Sequence, residues 1–273
     1  MQWSRVKSIL IGILIVVDAF LLMTLMGGHI VERQRENEKT EHFISILNGK
    51  GVLTGEEFRL PEMMSLPMLE VDRSKNDEDA FTKGLLGDQI ERYEDSAGST
   101  IFSSSSGSIS WSADGKIYGY FIPNGYSMPT TERDARLMTA KLLERCGISS
   151  SVQIEANIDE KNAFATFDTA GARVFNRFLR LTFGEEQISV NGWWTFQTPY
   201  MVRTNNYVSC EASDSILALL SMEPSIGLID SAEIGYVLLD STGRRLSITP
   251  CCRIMTDQGE FFVDSLKNIV IYE

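Results

Sequence analysis

The sequence predicts an α+β protein in which one amino-terminal transmembrane helix precedes two tandem modules of helices packed on antiparallel sheets. Residues 8–28 form an apolar run with one ionisable residue, Asp18, and about 20 such residues can span a bilayer as a helix. The rest of the chain twice has the order helix, then strands, which is typical of α+β modules. The predicted division is 1–28 (a short cytoplasmic segment and the membrane helix), 29–125 (a stalk helix and the first module) and 126–273 (the second module).

The apolar run has two interpretations, an uncleaved anchor or a cleaved signal peptide. Signal peptides have apolar cores of about 7–15 residues that end at a small-x-small cleavage site. This run is longer and ends at Met26-Gly27-Gly28-His29, which favours an anchor in the lipid bilayer. Arg5 and Lys7 precede the run without any acidic residue, and this favours a cytoplasmic amino terminus.

Asp18 lies at the centre of the apolar run. A carboxyl group at this depth costs about 2.5–3.5 kcal/mol on insertion scales. Either the surrounding apolar residues offset this cost, or Asp18 faces the helix of a partner protein. The second alternative makes Asp18 a candidate partner-binding residue.

The first module is predicted from helical and strand periodicities. A polar stalk helix over 31–47 places Phe43, Ile44 and Leu47 on one face. A second helix follows the acidic residues 77–79, with an apolar stripe at Phe81, Leu85, Leu86, Ile90 and Tyr93. Strands are then predicted at 100–105, 108–112 and 116–122, the last two joined by a turn over Ala113-Asp114-Gly115.

The second module is predicted to begin after the turn residues Pro123-Asn124-Gly125. A third helix starts at Thr130 or Thr131, with Asp134 completing a cap like a capping box, and stops at Gly147. The remaining elements are a helix over 213–222 and strands over 152–157, 163–168, 178–183, 188–196, 229–239, 246–255 and 260–272.

Charge and cysteine content restrict the classes of ligand. The formal net charge of −12 opposes binding to nucleic acid and to other polyanions. Four cysteines, Cys146, Cys210, Cys251 and Cys252, allow three pairings, and all remain open beside the favoured interpretation of small buried residues with at most one disulfide bridge. Without a C-x-x-C pair or a nearby histidine, we expect no zinc site.

The sequence lacks the residue patterns that catalysis requires. His29 and His42 lie at the membrane boundary and on the stalk helix, where a buried triad is not expected. There is neither a phosphate-binding glycine loop nor a G-x-S-x-G nucleophile elbow. We therefore expect no enzymatic activity, no cofactor and no small-molecule substrate.

Trp193 and Trp194 form the most conspicuous aromatic pair. Adjacent positions on a strand place one ring in the core and the other outside. Packing within the sheet is the favoured interpretation, and an exposed aromatic anchor for a protein partner is the alternative.

Several short pieces of the chain resemble the YycI family. They are Met1 to Lys7 (MQWSRVK), Asp18 to Leu22 (DAFLL), Arg173 to Asn176 (RVFN), Ile234 to Tyr236 (IGY), Pro250 to Ile254 (PCCRI) and Phe261 to Asp264 (FFVD). Cys252 stands where the family usually has tryptophan, and Asp264-Ser265 replaces an Asn-Ala pair. These departures indicate a distant member.

The resemblance implies a membrane-bound, extracytoplasmic regulator in a Gram-positive bacterium, with its amino terminus in the cytoplasm. Proteins of this family associate with a WalK-type sensor histidine kinase that controls cell-wall metabolism and with a YycH-like protein, partly through transmembrane helices. Their ectodomains are tandem PepSY-like modules without enzymatic activity. The implied transmembrane contacts here are Asp18, Phe20 and Leu21.

A second interpretation is an extracytoplasmic, wall-associated binding module or peptidase inhibitor of the PepSY type. Its working surface would lie around Trp193 and Trp194. A wall hydrolase is a remote third interpretation, because the sequence lacks a catalytic set.

Overall fold

The structure, a computed structural model, describes residues 14, 17–18, 35, 37–123, 125–148, 152–201, 206–239 and 245–271. The described helices are α1 (37–49), α2 (Lys75–Leu86), α3 (Glu132–Arg145) and α4 (Ala212–Met222). The strands up to residue 125 are β1 (Leu53–Thr54), β2 (Met64–Pro67), β3 (Leu69–Asp72), β4 (Glu91–Glu94), β5 (Thr100–Ser104), β6 (Gly107–Trp111) and β7 (Lys116–Phe121).

The second half of the chain contributes longer strands. They are β8 (Gln153–Asn157), β9 (Asn162–Thr169), β10 (Ala172–Phe183), β11 (Ile188–Trp193), β12 (Tyr200–Met201), β13 (Tyr207–Cys210), β14 (Leu228–Leu239), β15 (Arg245–Thr256), β16 (Gly259–Asp264) and β17 (Ile269–Ile271).

Local signals account for the helix ends. The Ser74 hydroxyl accepts a hydrogen bond from the Asp77 N–H at the start of α2, and Thr131 caps α3 by accepting from the Asp134 N–H at 3.1 Å. The predicted Thr131 cap is confirmed. The stripe predicted to continue to Tyr93 is wrong, because α2 ends at Leu86 before Gly87, whose φ is +91°.

Fifteen of the described strands form one sheet, with the order β12-β3-β15-β14-β10-β11-β7-β6-β5-β4. β9 and β8 extend from β10, while β16 and β17 extend from β15. Most neighbours are antiparallel, but β14 pairs in parallel with both β1 and β10. β2 and β13 form a separate two-stranded sheet.

Two main cores lie against this sheet. The first core combines residues 43–71 with residues 172–270, including Phe58, Tyr236 and Ile248. The second core contains only residues between Phe81 and Trp194, and α2 and α3 both contribute to it. Residues from either side of position 125 therefore occur in both cores.

The predicted fold class of two tandem PepSY-like modules, each on its own sheet, is wrong. A single sheet crosses both predicted modules, because β7 of the first module pairs with β11 of the second, and β3 of the first pairs with β15 of the second. Strand periodicity predicts which face of a strand is buried, but the neighbouring strand is chosen by contacts that are distant in sequence. This is why the two modules were expected to be separate.

The predicted fold class also includes a transmembrane helix over residues 8–28. No helix among the described residues is both long and apolar enough to cross a membrane. Of the predicted span 8–28, only Leu14, Val17 and Asp18 are described, and these three residues are helical and exposed. The other residues of the predicted span, Phe20 and Leu21 among them, lie outside the described residues.

Candidate functional site

A bulge in β10 lies at the joint between the two halves of the sheet. β9 pairs with β10 up to Val174 and again from Phe178, so residues 175–177 are extra residues on β10. The Asn176 side chain donates to the Leu238 carbonyl at 2.9 Å and accepts from the Leu238 N–H at 2.9 Å. This amide therefore replaces a strand neighbour and holds β10 against β14.

Gly235 permits the close approach of these two strands. A Cβ atom at this position would lie 2.6 Å from the Arg173 carbonyl oxygen and 2.6 Å from Cζ of Phe175. The next residue, Tyr236, is fully buried and donates from its hydroxyl to the Pro67 carbonyl at 3.1 Å. The segment Ile234 to Tyr236 thus connects the joint to β2.

The Phe175 ring contacts residues from two further segments that resemble the YycI family, PCCRI and FFVD. It stacks on Phe262, with ring centroids 6.0 Å apart, and Cζ of Arg253 lies 4.7 Å from its centroid. Arg253 also forms an ion pair with Glu233 at 2.6 Å. Pieces that are more than 70 residues apart in the sequence therefore meet around one aromatic ring.

The adjacent cysteines of β15 are buried in different cores. Cys252 belongs to the first core, whereas Cys251 packs in a small third cluster with Phe175 and Phe262. All four cysteines of the chain are free thiols and buried. Burial raises the pKa of the Cys252 thiol to about 12, so this thiol is protonated near neutral pH and is a poor nucleophile.

Trp193 and Trp194 lie in different environments. Trp194 is 8% exposed and packs edge-on against Phe167, with ring centroids 5.6 Å apart. Trp193 is half-buried, with the Lys116 ammonium 4.7 Å and the Arg177 guanidinium 5.7 Å from its ring centroid. That either ring contacts a partner stays a prediction.

A cleft lies beside Trp194, and we call it the Trp194 cleft. Its volume is about 380 Å³, within the range of small-ligand sites. Its walls are the segment 194–197, the first part of α2, residues 146–148 directly after α3, and residues 166–168 of β9. Its aromatic lining residues are Phe167, Trp194 and Phe196.

Aromatic packing and one hydrogen bond position the outer wall of the cleft. Phe196 contacts Phe81 and Trp111, with centroid distances of 5.5 and 5.9 Å. The Gln197 amide donates to the Asp77 carboxylate in the first turn of α2. Segment 194–197 is therefore fixed to α2, although the two are about 120 residues apart in the sequence.

The chemistry of the cleft lining is acidic and aromatic. Asp77 and Asp168 line it, and none of its described lining residues is a lysine, arginine or histidine. The hydroxyls of Thr166 and Thr195 are buried without a hydrogen-bond partner in the described part of the chain. Burial raises the pKa of the Cys146 thiol, also in the lining, to about 12.

Sequence reasoning found Trp194 but missed the other residues of the cleft. The sequence marks Asp77 only as an acidic residue near a helix start and Asp168 only as the end of a predicted strand. Neither the orphaned hydroxyls nor the aromatic wall has a local signal, because the cleft forms from segments between residues 77 and 197. Within the described residues, no group of three or more His, Cys, Asp or Glu side chains could hold a metal ion.

Comparisons with known proteins give little further information. No protein-family model matches the chain, and no curated protein matches it. A solved structure of an uncharacterized protein from Eubacterium rectale ATCC 33656 is similar, at 10% sequence identity and a TM-score of 0.49. The match covers 81% of this chain and 90% of that chain.

Proposed function

We propose that this protein is a non-enzymatic regulator of a WalK-type sensor histidine kinase and acts together with a YycH-like protein. The observation that carries the proposal is the joint around Phe175. The pieces RVFN, IGY, PCCRI and FFVD, which carry the resemblance to the YycI family, all contribute residues to it. Segments that pack against one another are the segments that we expect proteins of the same fold to share. In this proposal the folded part lies outside the cytoplasm at the cell membrane of a Gram-positive bacterium.

An exposed face of the sheet supports a protein partner. Tyr118 and Tyr120 project from the same face of β7 and are 49% and 45% exposed. The register places Tyr93, on the edge strand β4, in the same row as Tyr118. Tyrosine is enriched at protein interfaces because a large rigid ring carries a hydrogen-bonding hydroxyl.

The kinase proposal is tested by co-purification of the full chain with the WalK-type kinase of the same genome. Wild-type protein should retain the kinase, and the double variant Tyr118→Ser, Tyr120→Ser should retain about tenfold less. The matched control is Tyr207→Ser on β13, since Tyr207 is also exposed, at 53%. Failure of the wild-type chain to retain the kinase would contradict the proposal, as would equal retention by the double variant.

A second candidate function is an extracytoplasmic, wall-associated binding module or peptidase inhibitor. The Trp194 cleft favours it, because an aromatic cleft with a few polar groups is typical of a ligand site. Substitutions at the two surfaces distinguish the two functions. A kinase regulator depends on the tyrosine face, whereas a binding module depends on the cleft.

A further inference from the structure

We infer that the tyrosine face, the exposed side of the sheet that carries Tyr93, Tyr118 and Tyr120, binds an acidic surface of the partner protein. Lys116 and Arg180 contact the carboxylates of that surface. The inference rests on the proposed function for the identity of the partner, and it adds the chemistry by which the partner is recognised. It is carried by the charge of five adjacent strands and by two cations that lie over aromatic rings.

Five adjacent strands of the sheet lack acidic residues. β10, β11, β7, β6 and β5 follow one another in the sheet, and none of them contains an aspartate or a glutamate. Their charged residues are all basic, namely Lys116 on β7 and Arg173, Arg177 and Arg180 on β10. The charge of this region is therefore opposite to the net charge of the chain, which is −12.

Lys116 and the two tyrosines of β7 project from the same side of the sheet. Ile117 and Phe121 are buried in the second core, and side chains alternate between the two faces along a strand. Lys116, Tyr118 and Tyr120 therefore lie on the side away from that core, where both tyrosines are nearly half exposed.

Arg180 lies on the same side, two strands away from Tyr118. Its neighbours in β10, Leu179 and Leu181, belong to the second core. Arg180 therefore points away from that core, and it is exposed. The register places Arg180 opposite Asn191 of β11, and Asn191 opposite Tyr118 of β7. The arginine, the amide and the tyrosine thus form one row across the sheet.

An aromatic ring positions each of the two cations. The Lys116 ammonium lies 4.7 Å from the ring centroid of Trp193, its neighbour in the β7–β11 register. Cζ of Arg180 lies 4.6 Å from the ring centroid of Phe164, its neighbour in the β9–β10 register. Neither cation forms an ion pair with another described residue. Both charges are therefore positioned in advance and available to an anion, which lowers the entropy that binding costs.

Two available cations suit a protein carboxylate better than a polyanion. Arg173, on the same sheet, already pairs with Glu155 at 3.2 Å. Anionic membranes are recognised by clusters of about 4–8 lysine and arginine residues, and the net charge of −12 repels polyanions at long range. A carboxylate is a single anion that one arginine binds through two parallel hydrogen bonds.

The residues around the cations have the composition of a protein-binding surface. Ser189 and Asn191 on β11 and Thr182 on β10 are exposed, and the tyrosines of β7 lie beside them. Tyrosine, serine and asparagine are enriched in antibody binding loops, with tryptophan and arginine at the positions that contribute most to binding. The charge of the face therefore selects an acidic partner, and its composition selects a protein.

The test measures co-purification of the full chain with the WalK-type kinase after the substitution Arg180→Gln. The variant should retain about tenfold less kinase, because the neutral amide loses the pairing with a carboxylate. Arg133→Gln is the matched control and should retain as much kinase as the wild type. Arg133 is exposed on α3, which packs on the opposite side of the sheet.

Folding is checked on the same two variants. Both should unfold at the urea midpoint of the wild type, since both substitutions are at exposed positions. Loss of kinase retention in Arg180→Gln alone would then result from the changed surface. Equal retention by Arg180→Gln and the wild type would overturn the inference.

Salt dependence separates charge from shape. Retention of the kinase by the wild type should fall as salt is added, because salt screens the attraction between opposite charges. The double variant Lys116→Gln, Arg180→Gln should retain less kinase and depend less on salt. The double variant Tyr118→Ser, Tyr120→Ser should also retain less kinase but keep the salt dependence of the wild type, since no charge is removed. Wild-type retention that does not change with salt would contradict an acidic partner surface.

The outcomes distinguish failure of this inference from failure of the proposed function. If the wild-type chain retains no kinase, the proposed function fails and this inference fails with it. If the wild type retains the kinase and Arg180→Gln retains it equally, only this inference fails. Inorganic polyphosphate is the probe for a polyanion. Binding of polyphosphate that Arg180→Gln abolishes, with unchanged retention of the kinase, would assign the face to a polyanion and overturn the inference.

Discussion

Gly235 shows how one residue controls the joint between two strands. Its backbone is not strained, but no space exists for a side chain beside Arg173 and Phe175. The aromatic stack of Phe175 on Phe262 depends on this space. Packing therefore requires glycine at this position.

We predict that Gly235→Ala lowers the free energy of unfolding by about 3 kcal/mol, because the new methyl group overpacks the joint. Urea denaturation followed by circular dichroism measures this change. Gly227→Ala is the matched control, since its Cβ would meet only Oδ2 of Asp257, at 3.3 Å, on a flexible side chain. A similar loss in both variants would show that the joint is not specifically crowded.

Buried thiols and a buried tyrosine make the stability of the folded protein depend on pH in the alkaline range. Burial raises the pKa of the Cys146 and Cys252 thiols to about 12, from an ordinary value of 9.0. Burial also raises the pKa values of Cys251, Cys210 and Tyr236. In each case the folded state holds a proton that the unfolded chain releases at a lower pH.

We predict that the free energy of unfolding is constant with respect to these groups below pH 9 and falls between pH 9 and 12. The unfolded state loses protons first, and each such group contributes a slope of about 1.4 kcal/mol per pH unit. Urea denaturation in a series of alkaline buffers gives the slope, and Cys146→Ala should make it shallower. A slope that this variant does not change would contradict the assignment to buried thiols.

The bulge of β10 is the element that joins the two halves of the sheet. Only Val174 and Tyr236 are in parallel register between β10 and β14, so a strand ladder does not hold these strands together over a long distance. The Asn176 amide extends the pairing by bonding both backbone groups of Leu238. The Asn176 side chain therefore makes the two hydrogen bonds that the backbone of a neighbouring strand would otherwise make.

We predict that Asn176→Ala costs about 2–4 kcal/mol of unfolding free energy, because the backbone N–H and C=O of the buried Leu238 lose these partners. Asn191→Ala on β11 is the control, since Asn191 is exposed and its substitution should cost less than about 0.5 kcal/mol. Urea denaturation of both variants gives the comparison. Equal stability of the two variants would exclude the amide as the link between the halves.

At the scale of the whole molecule, the chain leaves one core and returns to it. It builds part of the first core with residues 43–71, forms the second core with residues between 81 and 194, and completes the first core with residues 172–270, so that β10 contributes to both cores. The second core thus comes from one stretch of the chain, whereas the first comes from two separated stretches. This order differs from the two successive modules that the sequence predicts.

We predict that the fragment 75–197 unfolds cooperatively by itself, whereas the fragment 126–273 does not. The first fragment contains every buried residue of the second core. The second fragment lacks β3, a neighbour of β15, and also lacks α2, β5, β6 and β7. Urea denaturation of the two purified fragments tests this, and a cooperative transition in the fragment 126–273 alone would contradict it.

The sequence by itself determined the local features of this protein. The Thr131 cap depends on residues three positions apart, and the buried face of α1 depends on the spacing of Phe43 and Leu47. The turn at Gln258-Gly259 likewise joins the two strands predicted around it, β15 and β16. Such features require only neighbours along the chain, so their patterns are visible in one sequence.

Tertiary structure alone decided that the two halves share a sheet and that Trp194 lines a cleft. Both depend on contacts between distant segments, such as Asn176 with Leu238 and Gln197 with Asp77. A strand or a loop can pair with many neighbours at similar local cost, and the choice is made by the packing of the complete core. For this physical reason, periodicity predicted most of the elements but not their arrangement.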